Sequence, residues 1–401
     1  MKHILFLCSS HGFEDGRVSQ KEAVSFANLG YKISMCGQRA EWRYDAPVRM
    51  IDVDTCEVIA DWHNAGFPGF ATRGQRFRRL RNLWRVAKRE HADLHVAHEL
   101  ESALIAMFFK WIYRTPFVFD VHENFDLNIV LAFPRLFRPL VKVGFWLVMK
   151  CIVRNAAGIT AVAPNNQIYL YAKLIGKPVA ILHNSPRLEY FPFCEEETDP
   201  ITIVHEGRLG VKYGSREALE ALKILKDKGY SFKFLLIGWG SIETRESFVE
   251  KVREYGLEDR VIINGLVPWR ELGALECKGQ IGIVCCQPVG NSFVTLANKL
   301  YNYMACGLAV VGMKNSLTEE IITDAKSGLC AEITDPFAIA DAIAWLIDHP
   351  GDRRQMARNG RKAIEERYGW HCMEELMREF YGNLLKHMKD EDEVGILKGV
   401  S

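Results

Sequence analysis

The stretch ITIVHEGRLGVKYGSREALEALKILKDKGYSFKFLLIG, residues 201–238, decides the fold. A short apolar run turns at Gly207, an amphipathic segment SREALEALKILKDKG follows at 215–229, and a second apolar run closes the unit. The middle segment has the spacing of a helix with one apolar face, and Gly229 is the residue expected at its C-terminal stop. Apolar runs with little alternation suit strands covered on both faces, as in parallel sheets joined by crossover helices.

The same grammar extends in both directions. Downstream, VIING, IGIVCC and AVVGM continue the strand series, and upstream lie HILFLCS, KISMCG, LHVAH, FVFDVH, GITAVA and VAILHN. The two series are separated by SPRLEYFPFCEEETDP at 185–200, whose prolines and acidic run read as a connector. The expected architecture is α/β: a Rossmann-like domain over 1–185, a linker over 186–200 and a second Rossmann-like domain over 201–369. A helix over 370–388 packs back on the N-terminal domain, and a loose polar tail covers 389–401. In such sheets ligands bind beyond the carboxyl ends of the strands, so two facing domains predict an interdomain cleft as the site.

Composition narrows the function. With 401 residues, 48% apolar and 25% charged, the chain is long enough for two cores and too apolar for disorder. The apolar segment at 139–153 is interrupted by lysines, falls short of a membrane span and is expected to be a buried helix. The N-terminal apolar run reads as a first strand rather than a leader. Eleven cysteines lack metal or disulfide-framework spacing, which points to free thiols and a cytoplasmic setting. A net charge of +1 gives no nucleic-acid footprint.

Candidate chemistry sits after the strands. In NSFVTLANKLYNYMACGLAVV (291–311) a loop leads into a helix that stops at Gly307, so Thr295, Leu296 and Ala297 offer backbone donors to an anion such as a diphosphate. Asn298 and Asn302 lie four apart on one face, a core helix with a polar edge being the alternative. In EGRLGVKYG (206–214), Gly207 permits a tight turn, and Arg208 and Lys212 supply cations for phosphate; solvated loop cations are the competing account. In LIGWGS (236–241), Gly238 and Gly240 allow close approach of a ligand or make a simple turn. AHEL and FDVHE end strands with His98, Glu99, His122 and Glu123, which are expected to point into the cleft. Without HExxH spacing they are not expected to hold a metal. DVD at 52–54 reads as a strand edge.

Taken in order, DGRVSQKEAVSFANLGYKISM, AHELESALIA, FDVHE, GRLGVK, LIGWG, NKLYNYMACGLAVV and LTEEIITDAKSGLCAE resemble the retaining glycosyltransferases of family 4, over nearly the whole chain. The resemblance implies the GT-B fold and transfer of a sugar from a nucleotide-sugar donor with retention of configuration. It implies neither a metal nor another cofactor. By position it makes His122 a contact to the donor sugar and Arg208 with Lys212 the pair that neutralises the diphosphate, the expected main term in stabilising the leaving group. It places Gly12, Gly207, Gly238, Gly265, Leu266, Thr295, Leu296, Ala297, Asn298, Lys299, Asn302 and Glu320 around the donor, with His98, Glu99 and Glu123 toward the acceptor.

Two departures stand out. Family members often carry two glutamates with seven residues between them, and those positions here are Val294 and Asn302. A neutral amide in place of a carboxylate on the nucleotide ribose is expected to weaken donor binding about tenfold. The implied acceptor is a glycan or a lipid-linked sugar in cell-surface polysaccharide or glycolipid assembly. The stretch 72–92, with eight Arg or Lys against one Glu, predicts a basic amphipathic helix, either one able to meet an anionic membrane surface at the inner face of the plasma membrane or a solvated helix with an ordinary core stripe. A catalytically silent nucleotide-sugar-binding scaffold subunit and a nucleotide-sugar 2-epimerase remain alternatives. A nicotinamide dehydrogenase is disfavoured, because no GxGxxG follows the first strand.

Overall fold

The computed structural model describes residues 1–13, 15–39, 47–59, 73–122, 133–238, 240–288 and 296–398; the side chains of Arg73 and of 387–398 lie outside this set. The chain divides into two units, Met1–His183 with Glu374–Ser401, and Asn184–Met373.

The first unit is built on a seven-stranded sheet: β1 (His3–Gly12), β2 (Lys32–Gln38), β3 (Arg49–Asp52), β4 (Leu94–Ala97), β5 (Phe117–Val121), β6 (Gly158–Ala161) and β7 (Val179–Ile181). Its strands pair in parallel in the order β3-β2-β1-β4-β5-β6-β7, and one isolated antiparallel bridge joins Ile51 to Val58. Ile4 to Cys8 are fully buried, as a strand covered on both faces requires. A π-helical turn at Val18–Ala23 runs into α1 (Val24–Asn28) between β1 and β2. The crossovers from β3 onward all step the same way across the sheet, so the right-handed rule puts α2 (Arg73–Glu90), α3 (Leu100–Tyr113), α4 (Arg138–Asn155) and α5 (Gln167–Leu174) on one face. They pack side by side: Trp84 of α2 meets Phe109 of α3 at 4.5 Å, and Trp111 of α3 donates to Asn155 of α4 at 2.9 Å.

The second unit repeats the plan with β8 (Ile201–Glu206), β9 (Phe232–Ile237), β10 (Val261–Gly265), β11 (Ile281–Ile283), β12 (Ala309–Met313) and β13 (Gly328–Ala331), ordered β10-β9-β8-β11-β12-β13. Its helices are α6 (Ser215–Asp227), α7 (Ile242–Glu254), α8 (Trp269–Glu276), α9 (Asn298–Cys306), α10 (Leu317–Ala325), α11 (Pro336–Asp348) and α12 (Pro350–Ala363). Helix α6 buries Ala218, Leu219, Leu222 and Leu225, and Gly229 at φ +83° ends it. A fully buried Leu contributes about 1.5–3 kcal/mol, so this stripe, rather than helix propensity, holds α6 in place. In both sheets the order reverses beside the first strand, which opens a crevice at the carboxyl ends of β1 and β4, and again of β8 and β11.

Several expectations are corrected. The 185–200 segment is no free linker: Glu195 pairs with Arg358 and Glu197 with Arg353, each at 2.7 Å, within the second unit. Cys194 and Cys277 are disulfide-bonded, where free thiols were expected; nine cysteines remain unbonded. The final helix, α13 (Trp370–Lys398), runs through most of the segment read as a loose tail. It docks on the first unit, where Glu374 accepts from Ser25 at 2.5 Å and Tyr381 packs edge-on to Phe26. Strand β3 ends at Asp52, so Asp54 of the DVD stretch lies beyond it and pairs with Arg79 at 2.8 Å. The 139–153 helix is buried on one side only: Leu140, Val143 and Leu147 face solvent.

Candidate functional site

Chemistry gathers at both crevices. In the first unit the hub is Asp120, near the end of β5 and fully buried. Its Oδ2 accepts from His122 Nε2 at 2.5 Å and faces His98 Nδ1 at 3.2 Å, while Oδ1 accepts from Thr160 at 2.5 Å and from Arg17 Nη2 at 3.1 Å. Burial alone would raise this carboxyl; Arg17 and His122 outweigh it and hold Asp120 well below the usual carboxylate range. Arg17 is anchored in turn by Leu182 O at 2.5 Å and Glu22 at 2.8 Å.

His122 takes its state from this hub. Burial pushes it down to about 4 despite Asp120, so the ring is neutral at physiological pH. A carboxylate only accepts, so the ring proton belongs on Nε2, and Nδ1 is left as an acceptor. Next to it, at 4.8 Å between ring centroids, lies His11, whose Nδ1 meets Asp15 at 2.8 Å. Burial opposes charging of His11, but Asp15 and Glu99 push it up to about 9. A charged and a neutral imidazole therefore stand side by side.

Among the described residues His98, Asp120 and His122 are the one group close enough to share a metal ion. The donor set does not fit one: the carboxylate already accepts from Arg17 and Thr160, and a guanidinium at 3.1 Å repels a second cation. Two residues expected on the acceptor have other work. His98 is completely buried beneath His122, with no surface to present. Glu99 caps α3 and accepts from the backbone N–H groups of Ser9, Ser10 and His11 at 2.9–3.0 Å, so it shapes the loop after β1. Gly12 closes β1 at the rim of that loop. Glu123 lies outside the described residues.

In the second unit the strand ends converge on Gly207. Gly238, at φ +145°, lies so close that a Cβ there would come within 1.9 Å of Gly207 O, and its N–H donates to Gly265 O at 2.8 Å. Gly238 therefore serves backbone-to-backbone packing against Gly207, whereas a Cβ on Gly265 would meet nothing within 4 Å; Leu266 is half exposed beyond it. Arg208 and Lys212 are exposed on the loop after β8. Behind it, Lys299 is 93% buried; its Nζ has no hydrogen-bond partner among the described residues and would lie 3.5 Å from a Cβ on Gly207.

Helix α9 begins at Asn298 with Ala297, which has no capping side chain, as N-cap; Leu300 N–H donates to Ala297 O at 3.0 Å, so among the described residues the N–H groups of Asn298 and Lys299 are those left for a ligand. Leu296 and Ala297 are half exposed at this end and Asn298 is exposed; Thr295 lies outside the described residues. Asn302 is buried and donates Nδ2 to Glu206 Oε2 at 3.3 Å. Beneath them Glu276 is fully buried, its carboxyl raised well above normal by burial and by Glu206. Glu320 is exposed in the first turn of α10.

Sequence reasoning missed Asp120, Arg17, Glu206 and Glu276. Asp120 was findable, because a strand's period of two puts it on the same side as His122. Glu206, one residue before the glycine turn, was findable as a strand-end acid. Arg17 and Glu276 gave no signal, since only the fold brings them to these strands.

Comparison with known proteins adds to this geometry. Residues 16–184 match the family model described as "Glycosyl transferase 4-like domain", and 187–363 match "Glycosyl transferases group 1". Over 173 residues the chain is 27% identical to the amylovoran biosynthesis glycosyltransferase AmsK of Erwinia amylovora, covering 43% of this chain and 42% of that protein. It is 28% identical over 146 residues to the putative colanic acid biosynthesis glycosyltransferase WcaL of Escherichia coli K12, covering 36% of each. The chain thus spans about two fifths of these relatives' length. Among solved structures, the fold is similar to sucrose-phosphate synthase from Thermosynechococcus elongatus, with TM-score 0.74, 17% identity and coverage of 96% and 100%. It is also similar to Anabaena Alr3699/HepE in complex with UDP, with TM-score 0.69, 15% identity and the same coverage.

Proposed function

We infer that this chain, a glycosyl transferase 4-like domain followed by a glycosyl transferases group 1 domain in GT-B build, moves a sugar from a nucleotide-sugar donor to a glycan or lipid-linked acceptor. The setting proposed is cytoplasmic assembly of a cell-surface polysaccharide or glycolipid, in keeping with relatives named for amylovoran and colanic acid. A lipid-linked acceptor would bring the protein to an anionic membrane, toward which the arginine-rich α2 supplies charge.

The observation that carries the reading is the buried Lys299 Nζ, without a hydrogen-bond partner among the described residues, behind Gly207 and beside the start of α9. A buried ammonium without a partner is costly unless an anion completes it. A diphosphate does so, with Arg208 and Lys212 on its exposed side. Asn302 donates its amide to Glu206, which also shares a hydrogen bond with the buried Glu276, so a carboxylate stands beside residue 302 where that residue lacks one, and we assign it to the vicinal ribose hydroxyls.

In the proposed reaction the bond from the sugar's anomeric carbon to the diphosphate breaks while the acceptor oxygen bonds to that carbon from the same face. The acceptor's proton passes to the departing diphosphate. The cations and α9 N–H groups stabilise the charge that develops there. Neither a metal nor a protein nucleophile takes part.

A panel of UDP, GDP, dTDP and ADP sugars, with the free nucleotides, tests this by melting temperature. A ligand at 100 times its dissociation constant stabilises by about 2.7 kcal/mol, so one base class should give a clear rise. No rise with any nucleotide would sink the reading.

A further inference from the structure

The helical layer over the first unit's sheet has an outer face that the donor chemistry does not use. In α4 and the short turn before it, Leu136, Leu140, Val143 and Leu147 are 85%, 72%, 59% and 64% exposed. Their three-to-four spacing in α4 puts them on one stripe. The stretch 135–155 contains Arg135, Arg138, Lys142, Lys150 and Arg154 and no acidic residue. Trp111 and Ile112 of the neighbouring α3 are also about half exposed. Helix α2 adds charge to the same layer: Arg76, Arg81 and Arg85 are exposed, yet Phe77 is its one large exposed apolar side chain, because Leu83 and Val86 are buried inward.

Water is a poor partner for such a stripe. Four large apolar side chains held outward on a helix forgo the stabilisation that burial would give, and a contiguous apolar face rimmed by one sign of charge marks a surface that meets something. The charge decides what. A protein partner would need a matching acidic rim, and a second copy would bring the same cations against these. A bilayer with anionic headgroups supplies both an apolar phase and negative charge. No helix among the described residues is long and apolar enough to cross a membrane, so the contact is one of lying on the surface.

We propose that α4 is a monotopic membrane-docking helix, which sets Leu136, Leu140, Val143 and Leu147 into the headgroup boundary of an anionic leaflet while α2 and the α4 cations hold the surface electrostatically. This moves the insertion from the basic 72–92 helix to α4 and leaves α2 a charge contact. It deepens the lipid-linked acceptor reading but stands on evidence of its own, namely exposure and charge on one helix.

Flotation of the full chain with phosphatidylcholine vesicles, with and without phosphatidylglycerol, tests it at low and high salt. The protein should float only with the anionic vesicles, less at high salt, and the double variant Leu140→Glu/Leu147→Glu should partition at least tenfold more weakly. A second variant, Arg135→Glu/Lys142→Glu, reads the electrostatic part without touching the stripe and should also weaken partition. The melting temperature and its rise with donor should be unchanged in both, since these side chains face solvent. No flotation of the wild type, equal flotation of the variants, or a wild-type dimer in light scattering that Leu140→Glu/Leu147→Glu disperses would each overturn the proposal. A nucleotide-induced rise in melting temperature that survives any of these outcomes leaves the transferase reading standing.

Discussion

At the scale of single residues, some charges of the two crevices are held by neighbours and others are tuned by burial. Glu206 is held beside Asn302, so Glu206→Gln should weaken a nucleoside diphosphate about tenfold, as loss of a charge-assisted hydrogen bond does. The 2′,3′-dideoxy counterpart should bind both proteins alike; an equal loss for both ligands in calorimetry would show that Glu206 does not read the ribose. The two rim histidines titrate in opposite senses. Native His122 stays neutral down to about 4, whereas the unfolded chain takes up that proton near 6.5, so stability falls as pH drops through this window. Native His11 keeps its proton to about 9, so its contribution is complete below 6.5 and is lost as pH rises through 9. His11→Asn should therefore flatten the alkaline decline in urea-unfolding stability, and an unchanged alkaline limb would refute the Asp15 pairing as its cause. Much of the residue scale was hidden from sequence. His122 shows itself as a strand-end histidine, but the Arg17 that holds Asp120 lies 103 positions away and meets it only through the sheet.

At the scale of elements, the buried strands were the most legible because a strand covered on both faces writes its burial into an unbroken apolar run. Strands β3 and β13 did not stand out because RMID carries a charge at each end and GLCA opens on glycine and is only partly buried, so neither writes an unbroken apolar run. Helix α4 shows the limit from the other side: apolar composition says that a face wants burial and cannot say whether the protein or another phase supplies it. Helix α9 is wholly buried from Lys299 to Cys306 and stops at Gly307, φ +86°, where a Cβ would come within 2.6 Å of Phe193. Gly307→Ala should cost about 1–3 kcal/mol from backbone strain alone and weaken diphosphate binding as the helix start shifts. An unaltered thermal midpoint would contradict this role for the turn.

For the whole molecule, two sheets of the same order each open a crevice where the strand order reverses, and the sequence showed both through two series of apolar runs divided at 185–200. What it did not show is how differently the crevices are charged: an Asp120-centred network of histidines in one, a buried lysine beside an open helix start in the other. That second crevice is the account's centre. Its most direct test is calorimetric titration of the stabilising nucleoside diphosphate, and of the matching nucleoside, into the wild type and Lys299→Met. The account predicts about 10–100-fold weaker diphosphate binding in the variant, the worth of one charged hydrogen bond, with the nucleoside unaffected. Equal diphosphate affinity in the two proteins would contradict it.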